Sequence, residues 1–175
     1  MVTTTLDQRF SDPGVRATEW DQAAQRLRTA ELAFITTVRP DGRPHVTPLI
    51  SVWSDGSLYF CTGPDERKAQ NLAENPHCVL TVGTDALHGG LDIVVEGAAV
   101  RITDDVRLAA LARAWEQKYG AEWHFDVADG AFQHNGGEAW VFEVAPTTVF
   151  GFGKSPYSQT RWRFDQTDRP SSDIG

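Results

Sequence analysis

Residues 45–72, HVTPLISVWSDGSLYFCTGPDERKAQNL, decide the fold. From His45 to Trp53 the chain alternates. Val46, Pro48, Ile50 and Val52 fall on one face, and His45, Thr47, Leu49, Ser51 and Trp53 on the other, the period of a strand. Ser54-Asp55-Gly56 supplies hairpin chemistry, because Asp and Gly tolerate the backbone angles of a tight turn. Leu58, Phe60 and Thr62 then share one face of a second strand, with Tyr59 and Cys61 on the other. Gly63-Pro64-Asp65 ends that strand and opens a helix, with Pro64 or Asp65 expected near its first turn.

The helix carries Arg67 and Lys68 in its first turn, beside Asp65 and Glu66. Helix N-termini are already electropositive, so basic side chains there fit an anion held between them and the helix end. Thr62 can add a hydroxyl to the same anion, and Asn71, four residues after Arg67 and three after Lys68, lies near the face they share. A solvated surface run is the competing reading of these charges. The preceding strand favours a site. Pro48 cannot donate a ladder hydrogen bond and so marks an edge or a gap, and a gap beside the VTPL segment accommodates a flat ring against backbone. An anion-binding helix start and a ring-sized gap within one hairpin suggest a phosphorylated aromatic cofactor.

The bulk composition sets limits. A chain of 175 residues, 41% hydrophobic and 23% charged, suits one globular domain with a core of its own. A net charge of -8 and a pI near 5.0 argue against nucleic acid or an anionic membrane as partner, so any anion site must be a local concentration of positive charge. Cys61 and Cys78 lie in strand-like apolar contexts without CxxC spacing. Reduced core residues are expected, with a disulfide as the alternative. The start, MVTTTLDQRF, lacks the basic and apolar regions of a secretory signal, and no apolar run approaches transmembrane length. The expectation is a soluble, cytoplasmic protein.

Around this centre, residues 1–17 carry no periodicity and are expected as a flexible lead-in, residues 18–164 as the folded domain, and residues 165–175 as a disordered tail. A helix is expected from Thr18, with Asp21 in a capping-box-like arrangement and Trp20, Ala23, Ala24, Leu27 and Ala30 on one face. Residues 33–38 read as a strand followed by a Pro40-Asp41-Gly42 turn, and residues 78–82 as another strand. Residues 91–103 are apolar on both faces, as in a barrel strand packed on two sides, with Gly97 marking a bulge or bend. Asp104-Asp105 caps a helix running to Tyr119. The aromatic-rich segment 120–137 reads as irregular and serves as a lid or as packing. Residues 138–145 form a last long strand, extended past Pro146. About six short strands with helices at the start, after the third strand and after the fifth describe a mainly β protein, an antiparallel barrel with helical covers.

In this order and spacing, TTVRPDGRPHVTPL, ERKAQNLAENP and VVEGAAVRIT make residues 20–164 resemble the pyridoxamine 5'-phosphate oxidase-like split β-barrel superfamily, which includes flavin- and deazaflavin-dependent reductases. The resemblance implies a split barrel and a homodimer with two cofactor sites at the subunit interface. FMN or the deazaflavin coenzyme F-420 would be the cofactor. Val46, Thr47, Pro48 and Leu49 would line its ring, mostly through backbone; Thr62, Arg67 and Lys68 would hold its phosphate, with Asn71 in support. Trp162 and Arg163 match the place from which family members reach across from the second subunit. Two departures stand out. True pyridoxine-phosphate oxidases have a C-terminal Arg-x-His, which this chain lacks, so vitamin B6 phosphate is not the expected substrate. Many relatives carry Gln near the cofactor where this chain has Asp92.

In such enzymes the cofactor carries the hydride and the protein supplies binding, orientation and water exclusion, so no acid–base dyad is required. His45 is the candidate proton donor, with a polar strand residue at the barrel rim as the plainer reading. His124 and His134 read as surface groups or substrate contacts. Neither histidines nor cysteines show metal-ligand spacing, and no Gly-x-Ser-x-Gly elbow marks a hydrolase. The sequence thus points to an oxidoreductase acting by two-electron transfer on a small organic substrate, with a non-catalytic flavin-, haem- or small-ligand-binding module as the alternative.

Overall fold

The centre of the fold is a chain that changes partners at Ile50. In the computed structural model, which describes residues 1–165, β2 (Ala33–Val38) pairs with β3 (Pro44–Leu49), while β4 (Ser51–Ser54), one residue further on, pairs instead with β5 (Ser57–Thr62). The strand expected from His45 to Trp53 is therefore two strands. Its Asp55-Gly56 turn has positive φ at both residues (48° and 77°), the conformation that lets a two-residue hairpin follow the twist of its strands.

Around this break the sheet closes. β6 (His77–Val82) lies between β2 and β7 (Leu91–Ile102), and β7 pairs along its length with β10 (Gly137–Gly153), whose first half also pairs with β5. Because β3 and β4 are one run of chain paired to opposite neighbours, the result is a split antiparallel barrel, as the family resemblance implied. Gly97 sits at the expected irregularity. The register shift falls on the facing strand, between Pro146 and Thr148, and a Cβ on Gly97 would stand 2.7 Å from the carbonyl oxygen of Ala145, so only glycine permits that approach.

Inward side chains of these strands, among them Ile35, Leu58, Phe60, Leu80, Ile93, Val95, Val144 and Val149, are fully buried and form the main core. It is covered by Ala23 and Leu27 of α1 (Trp20–Thr29) and Leu72 of α2 (Arg67–Glu74). The first helix starts two residues later than expected, at Trp20. Glu19 is its N-cap and makes no side-chain cap bond, so the Thr18 capping box does not form. A second core lies outside the barrel, where Val52, Tyr59 and Val141 meet Leu108, Leu111 and Trp115 of α3 (Asp105–Tyr119). Asp104 caps α3 by accepting from the Arg107 N–H at 2.7 Å.

Two expectations are corrected. Residues 1–17 are not a loose lead-in: β1 (Val2–Leu6) pairs in register with β11 (Ser158–Phe164), which pairs in turn with β10. Nor is segment 120–137 irregular. It contains the hairpin β8 (Asp126–Ala128) and β9 (Ala131–His134), whose Phe132 and the adjacent Phe125 stack at 4.7 Å, with the edge of Trp115 against Phe132 at 5.5 Å. This segment is the floor of the second core. The tail expected over 165–175 lies, apart from Asp165, outside the described residues. Cys61 and Cys78 carry free thiols, and burial pushes each thiol up to about 12. Among the described residues no helix is long and apolar enough to cross a membrane.

Candidate functional site

Among the described residues β3 ends its ladder, hydrogen-bonded only to β2. Pro48 therefore sits where a missing N–H does no harm. Along β3, Val46 and Pro48 point outward and are exposed, whereas His45, Thr47 and Leu49 point inward and are half-buried. His45 pairs across the ladder with Thr37 and Thr47 with Ile35. Thr37 is fully buried and its hydroxyl accepts from Asn71 Nδ2 at 2.9 Å. This bond ties α2 to the barrel, so Asn71 holds the helix bearing Arg67 and Lys68 against the strand pair bearing His45 and Thr47.

Three polar atoms at this corner have no partner among the described residues although each is buried: His45 Nδ1, Thr47 Oγ1 and Asn71 Oδ1. Buried polar groups are nearly always hydrogen-bonded, and leaving one unpaired costs about 1–3 kcal/mol. Their concentration on one strand and one facing helix makes this corner the candidate site for a polar ligand.

The charges beside them converge as well. The His45 imidazole titrates below its ordinary value of 6.5, first because it is partly desolvated and then because Arg39, Lys68 and Arg67 repel a proton there. Lys68 is buried, while Arg67 is exposed in the first helical turn. The sequence reading missed the role of Glu66. Its carboxylate pairs with the Lys68 ammonium and accepts the Gly63 N–H at 2.9 Å. Burial pushes that carboxyl up, but Lys68, Gly63 and the Thr62 hydroxyl outweigh it and hold the group below the usual range. Two of the three donors expected for a phosphate, Thr62 and Lys68, together with the Gly63 N–H, thus already surround an anion supplied by the chain. The signal was an acid two residues before the lysine. Glu66 is the N-cap, and Pro64 and Asp65 lie just before the first turn.

Trp162 is placed differently from the implication of the resemblance. It is fully buried in its own barrel core, its ring 5.6 Å from that of Trp20, and has no surface to offer another subunit. Arg163, its neighbour on β11, faces outward and is exposed. Asp92 also stands apart from the β3–α2 corner. It pairs with Lys154 at 2.8 Å and accepts the Thr84 N–H at 2.7 Å. Burial raises its pKa, but those partners dominate and lower it; the carboxylate anchors loop 83–90 to the end of β10. His124 and His134 lie with the second core, His124 exposed and paired with Glu116 at 3.1 Å and His134 facing the His124 carbonyl at 3.1 Å.

Comparisons with known proteins agree with this architecture. The family model described as pyridoxamine 5'-phosphate oxidase matches residues 20–152. A curated pyridoxine/pyridoxamine 5'-phosphate oxidase of Gloeothece citriformis (strain PCC 7424) is 33% identical over 89 residues, which is 50% of this chain and 41% of that relative's length. Among solved structures, a heme binding protein from Mycobacterium smegmatis superposes with a TM-score of 0.64 at 18% identity, over 83% of this chain and 59% of the other. An F420 reductase superposes with a TM-score of 0.54 at 20% identity, over 77% and 98%. At these identities the two structures establish a shared fold.

Proposed function

Because the chain belongs to the pyridoxamine 5'-phosphate oxidase family, we propose that it binds a phosphorylated flavin-type cofactor, FMN or coenzyme F-420, at the corner of β3 and α2. There it performs two-electron oxidation or reduction of a small organic substrate. The observation that carries this reading is the set of unpartnered buried atoms on His45, Thr47 and Asn71 beside Lys68 and Arg67. The corner is of the right kind for the group: an open strand edge for the ring, and hydroxyl and cationic donors for the phosphate, while the Asn71 amide oxygen is an acceptor. The cofactor supplies the hydride chemistry. In this chain Val46, Thr47, Pro48 and Leu49 present the ring with a strand edge, and Thr62, Arg67 and Lys68 hold the phosphate. Asn71 fixes the helix, and His45 holds or releases a proton at Nδ1. The proposed assembly is a homodimer. Phe34 and Val46, 47% and 56% exposed on the outward face of β2 and β3, give a second copy an apolar surface to cover. Arg163, exposed on β11, is the residue retained for a contact across subunits. Vitamin B6 phosphate is not the proposed substrate, since β11 carries Arg161-Trp162-Arg163 and no Arg-x-His.

A second reading is favoured by one atom. An imidazole nitrogen buried without a partner among the described residues, as in His45, would also hold a haem iron, and the alternative is a haem- or small-ligand-binding module without turnover. Parallel titrations of apo-protein with FMN, F-420 and haem distinguish the two. Saturable binding of FMN or F-420, followed by reduction of the bound cofactor and its reoxidation by an acceptor, supports the enzyme. Saturable haem binding with a Soret shift lost in His45→Ala, and no flavin binding, supports the module.

A further inference from the structure

A cavity of about 400 Å³ opens on the outer sheet face, at the far edge from β3. Its walls come from β1 and the turn after it (Thr5, Asp7, Arg9), from β10 (Phe150, Phe152) and from β11 (Arg161). The volume is that of a small-molecule site. Residues 5–9 and 159–161 lie outside the stretch that matches the family model, whereas Phe150 and Phe152 lie within it.

Its chemistry is asymmetric. Phe150 and Arg161 face each other in the ladder, as do Phe152 and Gln159, and Thr5 opposes Arg161 on the other side. Both phenyl rings are half-buried, an apolar floor left partly uncovered. Arg161 is half-buried too, and its guanidinium has no ion-pair partner among the described residues. The other charges are self-contained. Arg9 makes two hydrogen bonds to Asp7, at 3.0 and 2.7 Å, and these, before the more distant Arg161, hold the Asp7 carboxyl below its usual range. Arg9 and Arg161 against Asp7 leave one net positive charge in the wall of a molecule that is acidic overall. A planar guanidinium matches a carboxylate in a two-pronged geometry, and phenyl rings beside it favour an aromatic or otherwise apolar body.

We propose that this cavity is a binding site for a small monoanionic organic acid, its carboxylate on Arg161 and its apolar body on Phe150 and Phe152. Within one chain this cavity is built from elements other than those of the β3–α2 corner. The test is a fluorine NMR titration of the whole chain with 4-fluorobenzoate, with 4-fluorobenzyl alcohol as the neutral match. Saturable binding of the acid, at least tenfold tighter than the alcohol, weakened tenfold or more by Arg161→Gln and also by Phe150→Ala, is the expected result. Arg67→Ala/Lys68→Ala protein should bind the acid unchanged, which separates this site from the cofactor reading. No saturable binding by wild type, or binding that Arg161→Gln leaves intact in a variant with the wild-type melting temperature, overturns the proposal. Should Arg161→Gln fail to fold, Arg161→Lys serves instead: it retains charge but not the fork, and equal affinity for the acid would overturn the proposal.

Discussion

The carboxylate of Glu66 occupies the donors of Lys68 and Gly63, two residues on one side and three on the other, so the chain supplies its own anion to the site read as a phosphate cradle. A cofactor phosphate must displace it. Glu66 is 53% exposed at its side chain and Lys68 only 8%, so leaving the pair moves the carboxylate into water while the phosphate takes its place on the buried lysine. Glu66→Gln should therefore tighten cofactor binding by roughly twofold to fivefold, the worth of a screened ion pair of about 0.4–1 kcal/mol. Equilibrium fluorescence titration of wild type and variant measures it. Weaker binding by the variant would make Glu66 part of the cradle rather than its competitor.

Removal of the cations should act in the opposite sense and more strongly. Charge-assisted hydrogen bonds contribute about 1.5–3 kcal/mol each, so Arg67→Ala/Lys68→Ala should weaken cofactor binding by about a hundredfold or more. The fold should survive, because Asn71 and Leu72 still anchor the helix to the barrel. Titration alongside circular dichroism and sedimentation checks both halves. Unchanged affinity would place the phosphate elsewhere.

His45 reports the electrostatics of the same corner. In the free protein its pKa lies below 6.5 because burial and three cations oppose the proton. A bound phosphate offsets those cations, so its pKa must rise on binding, and by linkage binding takes up protons: affinity grows as pH falls through the bound-state value and levels off below the free-state one. Two-dimensional NMR of the imidazole, with His45→Gln to assign the signal, gives both midpoints. A midpoint that does not move on saturation would put the phosphate out of reach of His45.

How much of this was legible in the sequence depended on whether the cause was local. Pro48 announced a strand edge because its missing N–H is a property of one residue, and Asp104 announced a helix start for the same reason. β1 escaped notice because Val2–Leu6 is mostly polar and exposed; its pairing with β11 joins residues some 160 positions apart, which no local pattern encodes. β11 did carry a signal, the alternation of Trp162 between Arg161 and Arg163, which sends the ring inward and both arginines outward. The hairpin in segment 120–137 was marked by Asp129-Gly130, whose positive φ values of 55° and 70° repeat the turn chemistry of Asp55-Gly56. At the site, the cations and their supporting Asn71 were readable from helical spacing. The return of Glu66 onto Lys68 was signalled only by an acid two residues before the lysine, because its geometry depends on where the strand before the helix leaves Gly63.

The second core gives the last prediction. Trp115 is fully buried, edge-on to Phe132, and α3 covers the outer face of β4 and β5 through it. If segment 120–137 is structural floor, Trp115→Ala should destabilise the protein by about 3–5 kcal/mol, the usual cost of emptying a large aromatic site, while the protein that remains folded keeps its cofactor affinity. If the segment acted as a lid, the same substitution would leave unfolding nearly unchanged and alter turnover or ligand release. Urea unfolding monitored by far-ultraviolet circular dichroism, with cofactor titration below the transition, separates the two. The contacts of Phe125, Phe132 and Trp115 favour the first outcome, because their faces are occupied by one another and by α3 rather than turned toward the β3–α2 corner.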